Sequence, residues 1–372
     1  MYAIVFTTLQ VTATNSVQPI PSSYIPMQSA PFVSIVLFCY NAEKFLRKAI
    51  DSLLQQSYQH FELIIIEDCS TDGSMSIVGS YTDPRIVLIC NEQNSGIAFN
   101  RQLALSVAKG KYIFWMDNDD IAATDRIVKQ VDCFEQHPEV VLCGTSAVII
   151  NEHDEQLREI TYPATDEAIK AGMFFGFPFM SPSVGIRMAA VKPAHVEALS
   201  LVNQADDYTL YSMLMDTGSF VNLPDKLYYY REHTDPNRIT TNPARGADIV
   251  AGRKVAWNIQ LQQYGLTAND SVLTLHDKLS YYLYQITKAD IEVAFDYCVL
   301  IQSIYRIQRR SPKYEFEATK STIDRNISSL TLVKHIPLIT SLLLQIKFAN
   351  LISIKSHFKI LVKRPLLFLS KL

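Results

Sequence analysis

The sequence predicts an α/β fold: a mainly parallel sheet flanked by helices, with a helical C-terminal extension. Three observations carry that expectation. Short apolar runs alternate with helix-periodic stretches between Val33 and Met116. The runs are apolar on both faces, as strands are when helices cover both sides of a parallel sheet. A polar cluster stands directly behind each run, where ligands gather in such sheets.

The elements follow in order. "VSIVLF" from Val33 is the first strand, and the helix behind it repeats Phe45, Leu46, Ala49, Ile50, Leu53 and Leu54 at helical spacing, with Asn41 as its N-cap. "FELIIIE" (Phe61–Glu67) is the second strand, followed by a helix near Ser74–Tyr81 and the strand "RIVLIC" (Arg85–Cys90). A helix from about Ile97 to Lys109 stops at Gly110 and leads into the strand "KYIFWM" (Lys111–Met116). After Ile150 the regularity loosens: "GMFFGFPFMSPS" (Gly172–Ser183) reads as irregular and "DDYTLYSMLMDTG" (Asp206–Gly218) as helical. Beyond about Thr240 the chain reads as helix.

Composition sets the boundaries. Residues 1–30 hold no Lys, Arg, Asp or Glu and lack the basic start of a secretory signal, so they read as a disordered leader. Residues 31–240 form the α/β domain, 241–330 a helical region and 331–372 a basic amphipathic tail. After Asp324 no acidic residue occurs, while lysines and arginines punctuate apolar runs such as "LITSLLLQI". Such a tail suits either an interfacial helix on anionic lipid or packed terminal helices and a dimer contact. No stretch offers ~18 uninterrupted apolar residues, which argues against a spanning helix. A net charge of −3 argues against a nucleic-acid binder. The six cysteines form no CxxC pair and read as reduced, mostly buried thiols of a cytosolic protein.

The strand-end clusters "CYNAE", "EDCSTDGS", "NEQNSG" and "DNDD" converge in space. Asp117, Asp119 and Asp120 repel one another unless something positive lies between them. Carboxylates at a strand end are the hard-oxygen set that Mg²⁺ or Mn²⁺ takes, with phosphates as further ligands. The alternative is a solvated acidic turn capping the helix that starts near Thr124.

"SIVLFCYNAEKFLRKAIDSLLQQSYQHFELIIIEDCSTDGS" followed by "DPRIVLICNEQNSGIAFNRQLALSVAKGKYIFWMDNDD" resembles the nucleotide-sugar domain of family 2 glycosyltransferases with the GT-A fold. The resemblance is close from about Val33 to Val148, and later signatures extend it to about Thr240. It implies that Asp68 meets the nucleobase, that Asp117 and Asp119 bind a metal bridging the donor diphosphate, and that Arg101 lies near the phosphates. Tyr40, Asn41, Glu43, Asn94, Gly96 and Asn118 complete the implied donor side. Asp72 suits an Asx-turn that shapes the loop.

"QADDYTLYSMLMDTG" resembles the family's acidic pair, which implies Asp207 as general base and Asp206 as its neighbour; an N-cap pair is the competing reading. "LPDKLYYYREHTDPNRIT" resembles the closing segment, implying Arg231 at the diphosphate and His233 at the metal. "FMSPSVGIRMAAV" resembles the acceptor-side strand, with Ser183 and Arg187 at matching positions. Three residues depart from the family pattern: Phe38 in place of proline, Cys69 in place of glycine, and Asn118 in place of a small residue. Cys69 matters most, because glycine permits a positive φ there.

The resemblance implies an inverting transferase that uses Mn²⁺ or Mg²⁺ and a nucleoside-diphosphate sugar, a UDP-sugar foremost. Its acceptor would be a glycan or lipid-linked glycan in surface polysaccharide biosynthesis, and its place the cytoplasm or the inner face of the cell membrane. A non-catalytic sugar-nucleotide-binding scaffold is the alternative. A dinucleotide oxidoreductase or a P-loop NTPase finds no support, since the chain carries neither GxGxxG after its first strand nor GxxxxGK[ST].

Overall fold

The computed structural model describes residues 30–233 and 246–281, with a few positions between 293 and 304. The leader, apart from Ala30, and the basic tail lie outside the described residues, as does Cys298.

Strands β1 (Val33–Cys39), β2 (Phe61–Glu67) and β4 (Tyr112–Met116) are buried along their whole length, which is why their sequences run apolar without alternation. They lie parallel with β3 (Ile86–Cys90) in the order β3-β2-β1-β4. Helices α1 (Leu46–Leu54), α2 (Ser74–Gly79) and α3 (Ile97–Val107) make the crossovers. Every strand of this half therefore delivers its carboxyl end, and the loop behind it, to one edge of the sheet.

Beyond β4 the sheet becomes mixed. β8 (Gly185–Arg187) runs antiparallel between β4 and β6 (Val140–Ile150), and β6 pairs in parallel with β9 (Ser219–Arg231). β5 (Ile121–Ala122) pairs with β9, and β7 (Gln156–Ile160) with β6, both antiparallel. α4 (Arg126–Gln136), α5 (Asp166–Met173), α6 (Pro193–Ala198) and α7 (Asp206–Leu214) pack around this half.

Several sequence expectations change here. Asn41 is no N-cap: α1 starts at Leu46, and Asn41 sits in a loop at φ 48°. α3 ends at Val107, before Gly110, whose role is close approach, since a Cβ there would lie 2.3 Å from the Ser34 nitrogen. The acidic cluster does not cap α4, because β5 intervenes and the N-cap is Asp125. α5 occupies a stretch that gave no periodic signal, though Thr165 caps it and Asp166 and Glu167 suit its first turn. The five described cysteines are free; Cys39, Cys133 and Cys143 are buried, while Cys69 and Cys90 are exposed.

α8 (Gly246–Gln263) and α9 (Asp270–Tyr281) pack on this framework. Trp257 Nε1 donates to the Tyr208 hydroxyl at 3.0 Å, and Gln260 Nε2 to Ser212 Oγ at 2.7 Å, so α8 is bonded to α7. On α9, the fully buried His276 stacks on Phe174 at 4.3 Å and meets Trp257 edge-on at 4.6 Å. Among the described residues no helix is long and apolar enough to cross a membrane.

Burial lowers the pKa of His276 from 6.5 to about 4. The folded imidazole stays neutral where the unfolded one takes up a proton, so the stability present at neutral pH is lost as pH falls from 6.5 towards 4. The loss should approach about 3 kcal/mol. His276→Phe, which keeps the ring stack, should remove that acid-dependent part in urea titrations at pH 7 and 4.5; parallel losses in both proteins would assign the acid sensitivity elsewhere.

Candidate active site

The loops behind β1 and β2 are fastened to each other. Asn41 Oδ1 accepts from the Thr71 amide at 2.8 Å, and the Asn41 amide donates to Ser70 Oγ at 3.0 Å. The Glu43 amide donates to Asp72 Oδ2 at 3.0 Å, while Glu43 Oε2 accepts from the Gly73 amide at 2.9 Å. Asn41 and Glu43 thus shape the loop, and half-buried Tyr40 stands beside them at the end of β1. Asp72 also accepts from the Ser74 amide two residues on, the expected Asx-turn. Burial alone would raise its carboxyl, but bonds from Ser74 and from the Glu43 amide hold it below the usual range.

Cys69 takes the conformation that glycine would supply, at φ 61°. The carboxylate of buried Glu67 holds it there, accepting from the Cys69 amide at 3.1 Å and the Ser70 amide at 2.7 Å. The substitution leaves the loop geometry in place and adds strain, since the left-handed region costs an L-residue roughly 1–2 kcal/mol.

Asp68 is buried and joins three elements. Its Oδ1 accepts from Asn91 Nδ2 at 2.7 Å and the Ser95 amide at 2.8 Å, and its Oδ2 from the Gly96 amide at 3.0 Å. Gly96, at φ 82°, is the N-cap of α3, and Asn94 is exposed at the tip of the same loop. A carboxylate offers about four lone-pair sites, so one acceptor direction on Asp68 remains.

At the end of β4, carboxylate oxygens of Asp117, Asp119 and Asp120 lie within 4.8 Å of one another. Burial and the charge of Asp119 push Asp117 up to about 7, and burial with the same neighbours raises Asp120 well above the ordinary range. Asp120 Oδ2 is buried without a hydrogen-bond partner among the described residues. Asn118 turns away, its Nδ2 donating to the Phe38 carbonyl at 2.8 Å, so two departures from the family pattern meet in one bond.

Arg231 and His233 come from the end of β9. His233 Nε2 lies 2.8 Å from Asp119 Oδ2. Arg231 is wholly buried, its amide donating to Asp120 Oδ1 at 2.7 Å and its Nε to the Asp119 carbonyl at 2.7 Å. The guanidinium also pairs with Asp154 at 2.5 Å and lies over the Phe45 ring. Arg231 therefore fixes the backbone of the acidic cluster from behind.

α7 begins after Ala205, its N-cap at φ 58°, so Asp206 and Asp207 stand in the first turn and neither is the cap residue. They face different neighbours. Asp206 is buried and ion-paired with the buried Arg101 of α3, whose guanidinium lies over Phe38 and Trp115. Burial works against the charge of Arg101, but Asp206 more than restores it. Asp207 is only partly buried; its Oδ1 accepts from the Tyr208 amide at 2.7 Å and its Oδ2 from Ser181 Oγ. Burial and Asp206 raise its carboxyl, and its charge is felt at Asp117.

Ser181 is the site residue that sequence reasoning missed. Asp120 is read there as a third carboxylate, but its bond to the Arg231 amide, which spans 111 positions, could not be. Ser183 and Arg187, matched to an acceptor-side strand, are bonded to backbone groups: Ser183 Oγ accepts from the Thr145 amide at 3.1 Å, and Arg187 donates to the carbonyls of Val140, Phe134 and His137.

This mostly parallel sheet, with its acidic edge, defines a GT-A-type glycosyltransferase. Residues 34–191 match the family described as Glycosyl transferase family 2. EpsE of Bacillus subtilis (strain 168), which carries a glycosyltransferase name, is 32% identical over 214 residues, 56% of this chain and 76% of EpsE. The UDP-Glc:alpha-D-GlcNAc-diphosphoundecaprenol beta-1,3-glucosyltransferase WfaP of Escherichia coli is 38% identical over 103 residues, 28% of this chain and 41% of WfaP. Among solved structures, S. aureus TarS 1-349 in complex with UDP-GlcNAc has a TM-score of 0.55 at 15% identity, over 80% of this chain and 90% of its own, a likeness of fold. The chain belongs to glycosyltransferase family 2 and is an enzyme of that class.

Strain at Cys69 is open to measurement. Cys69→Gly should raise stability by up to about 1 kcal/mol, the left-handed cost less the extra chain entropy of glycine. Chemical denaturation of the two proteins would show it, and a less stable glycine variant would mean that the Glu67 bonds leave no strain at this residue.

Proposed function

We propose that this chain transfers a sugar from a UDP-sugar to a glycan or lipid-linked glycan acceptor in surface polysaccharide biosynthesis, by one inverting displacement. The observation that carries the reading is the pairing of a crowded acidic cluster with a separate, partly exposed carboxylate, Asp207, on the same sheet edge. The likeness to WfaP supports UDP-glucose and an undecaprenyl-linked acceptor as the first pair to test, and the UDP-GlcNAc bound by TarS supports a second donor.

The acidic cluster fits a divalent cation, because three close carboxylates, one raised to about 7, repel one another and His233 stands against Asp119. Asp117, Asp119 and His233 would hold Mn²⁺ or Mg²⁺, which supplies charge stabilisation for a departing diphosphate. Asp68, with its remaining acceptor direction, would take the N–H of uracil. Arg231 and Arg101 position Asp119 and Asp206 through their bonds within the protein, and Arg231 Nη2 and Arg101 Nη1, which have no hydrogen-bond partner among the described residues, would be the donors left for a diphosphate.

Asp207 does the proton chemistry. The acceptor hydroxyl oxygen bonds to the anomeric carbon as the bond from that carbon to the diphosphate breaks, and the hydroxyl proton passes to Asp207. Burial and Asp206 make this carboxylate more basic than a surface aspartate, which suits a base. An acceptor tethered to lipid would bring the enzyme to a membrane surface, and the basic tail would suit that contact.

Metal dependence comes first among the tests. Calorimetric affinity for UDP-GlcNAc and UDP-glucose should fall sharply in EDTA and return with Mn²⁺; equal affinity in chelator would remove the cation from the reading.

The second test separates enzyme from scaffold. With labelled UDP-sugars and GlcNAc-diphosphoundecaprenol, Asp207→Asn should lower turnover by ~10²–10⁴ and leave donor affinity nearly intact. Asp206→Asn should instead lower the melting temperature, because it weakens the partner of a buried arginine. Full activity in Asp207→Asn would place the base elsewhere, and no transfer by the native chain from any UDP-sugar would favour a binding scaffold.

A further inference from the structure

The turn Ser181–Ser183, which leads the chain into β8, is fixed at each of its carbonyls by a side chain. The Tyr211 hydroxyl donates to the Ser181 carbonyl at 3.3 Å, Arg126 Nη2 to that of Pro182 at 3.2 Å, and Gln130 Nε2 to that of Ser183 at 2.9 Å. Ser183 Oγ is taken by the Thr145 amide. Arg126 and Gln130 are wholly buried, one turn apart on α4, and bonded to each other at 3.1 Å. Arg126 Nη2 also donates to the Trp115 carbonyl at 2.9 Å, on the strand that ends just before Asp117.

Burying a guanidinium is costly unless its surroundings compensate. Among the described residues Arg126 forms no salt bridge; its neighbours are carbonyls, Gln130, the Met116 sulfur and the Tyr228 ring. Its compensation comes from the charge of Asp120 and from the bonding that fixes this turn and the end of β4. What the fixed turn delivers is one half-buried hydroxyl, Ser181 Oγ, donated to Asp207 Oδ2. With Oδ1 on the Tyr208 amide, both oxygens of the carboxylate are oriented.

We propose that Ser181 is a positioning residue for transfer, holding the Asp207 carboxylate in the orientation that receives the acceptor proton, with Arg126 and Gln130 as its rigid mount. The inference rests on the reading of Asp207 as base. Its physical ground is reach: a proton acceptor must lie within about 2.6–3.2 Å of its donor, and displacement by ~1 Å can cost ~10²-fold. A carboxylate in the first turn of a helix can rotate about two side-chain bonds, and the Ser181 hydroxyl removes that freedom.

The test uses the full chain with Mn²⁺ and GlcNAc-diphosphoundecaprenol as acceptor, reading UDP release from UDP-GlcNAc and UDP-glucose, donor affinity by calorimetry, and melting temperature. Ser181→Ala should lower kcat by ~10-fold with donor Kd and melting temperature unchanged, and Ser181→Thr, which keeps a hydroxyl, should recover most of the loss. Added to Asp207→Asn, Ser181→Ala should have no further effect, because the two act as one unit. Native turnover in Ser181→Ala, a parallel fall in melting temperature and donor affinity, or a loss that multiplies on Asp207→Asn would each overturn the inference. An active Asp207→Asn would overturn the functional reading beneath it, a result distinct from these.

Discussion

Carboxylate repulsion at the edge of the sheet is the constraint on which the rest of the structure turns. Asp117, Asp119 and Asp120 bring their oxygens within 4.8 Å, and the charges of Asp206 and Asp207 reach Asp117 as well. Two charges at that separation repel by about 3–4 kcal/mol at an effective dielectric of ~20. Nothing in the local chain favours such crowding. The structure tolerates it through buried cations: Arg101 pairs with Asp206, and Arg231 bonds to the backbone of Asp119 and through its own amide to Asp120. Both arginines are themselves costly to bury, so each is laid over aromatic rings, Phe38 and Trp115 for one and Phe45 for the other.

The same logic explains why the nucleotide-side loops are so heavily bonded. A loop that offers acceptors and amides to a ligand must hold them in place before the ligand arrives, since ordering on binding would subtract from affinity. Asn41 at φ 48° and Cys69 at φ 61° take left-handed backbone, which asparagine tolerates and cysteine does not, and are held by Thr71 and by Glu67 respectively. Asp68 does for α3 what Asn41 does for the β2 loop, tying Ser95 and Gly96 to the end of β2. The strain sits where geometry has to be fixed in advance.

Much of this was legible in the sequence, for reasons that are physical. A strand buried on both faces writes itself as an unbroken apolar run, so β1, β2 and β4 could be placed directly. The clusters behind them could be located because parallel topology sends them all to one edge. What the sequence does not carry is which partner a polar side chain finds. Arg231 reaches Asp119 across 112 positions and Arg101 reaches Asp206 across 105, and each could as well have pointed at a phosphate. Asn41 sits before a helix-periodic stretch and reads as its cap, but the Ser70 and Thr71 bonds draw it aside. α5 went unread because phenylalanines and prolines behind it masked a short helix whose cap signal, Thr165 with Asp166 and Glu167, was present.

The adjacent carboxylates Asp206 and Asp207 show how one helix turn can serve two ends. Successive residues on a helix point about 100° apart, so at its first turn one side chain can face the core while the next faces the cleft. Asp206 turns inward to Arg101 and is neutralised by contact. Asp207 turns outward, where burial is incomplete and a hydroxyl is its side-chain partner. The ion pair anchors the start of α7, and that anchor lets the second carboxylate be held by weaker bonds from Ser181 and the Tyr208 amide. Held by a hydroxyl and an amide and raised by burial, the Asp207 carboxylate stays available to a proton. The division between the two follows from which of them Arg101 can reach.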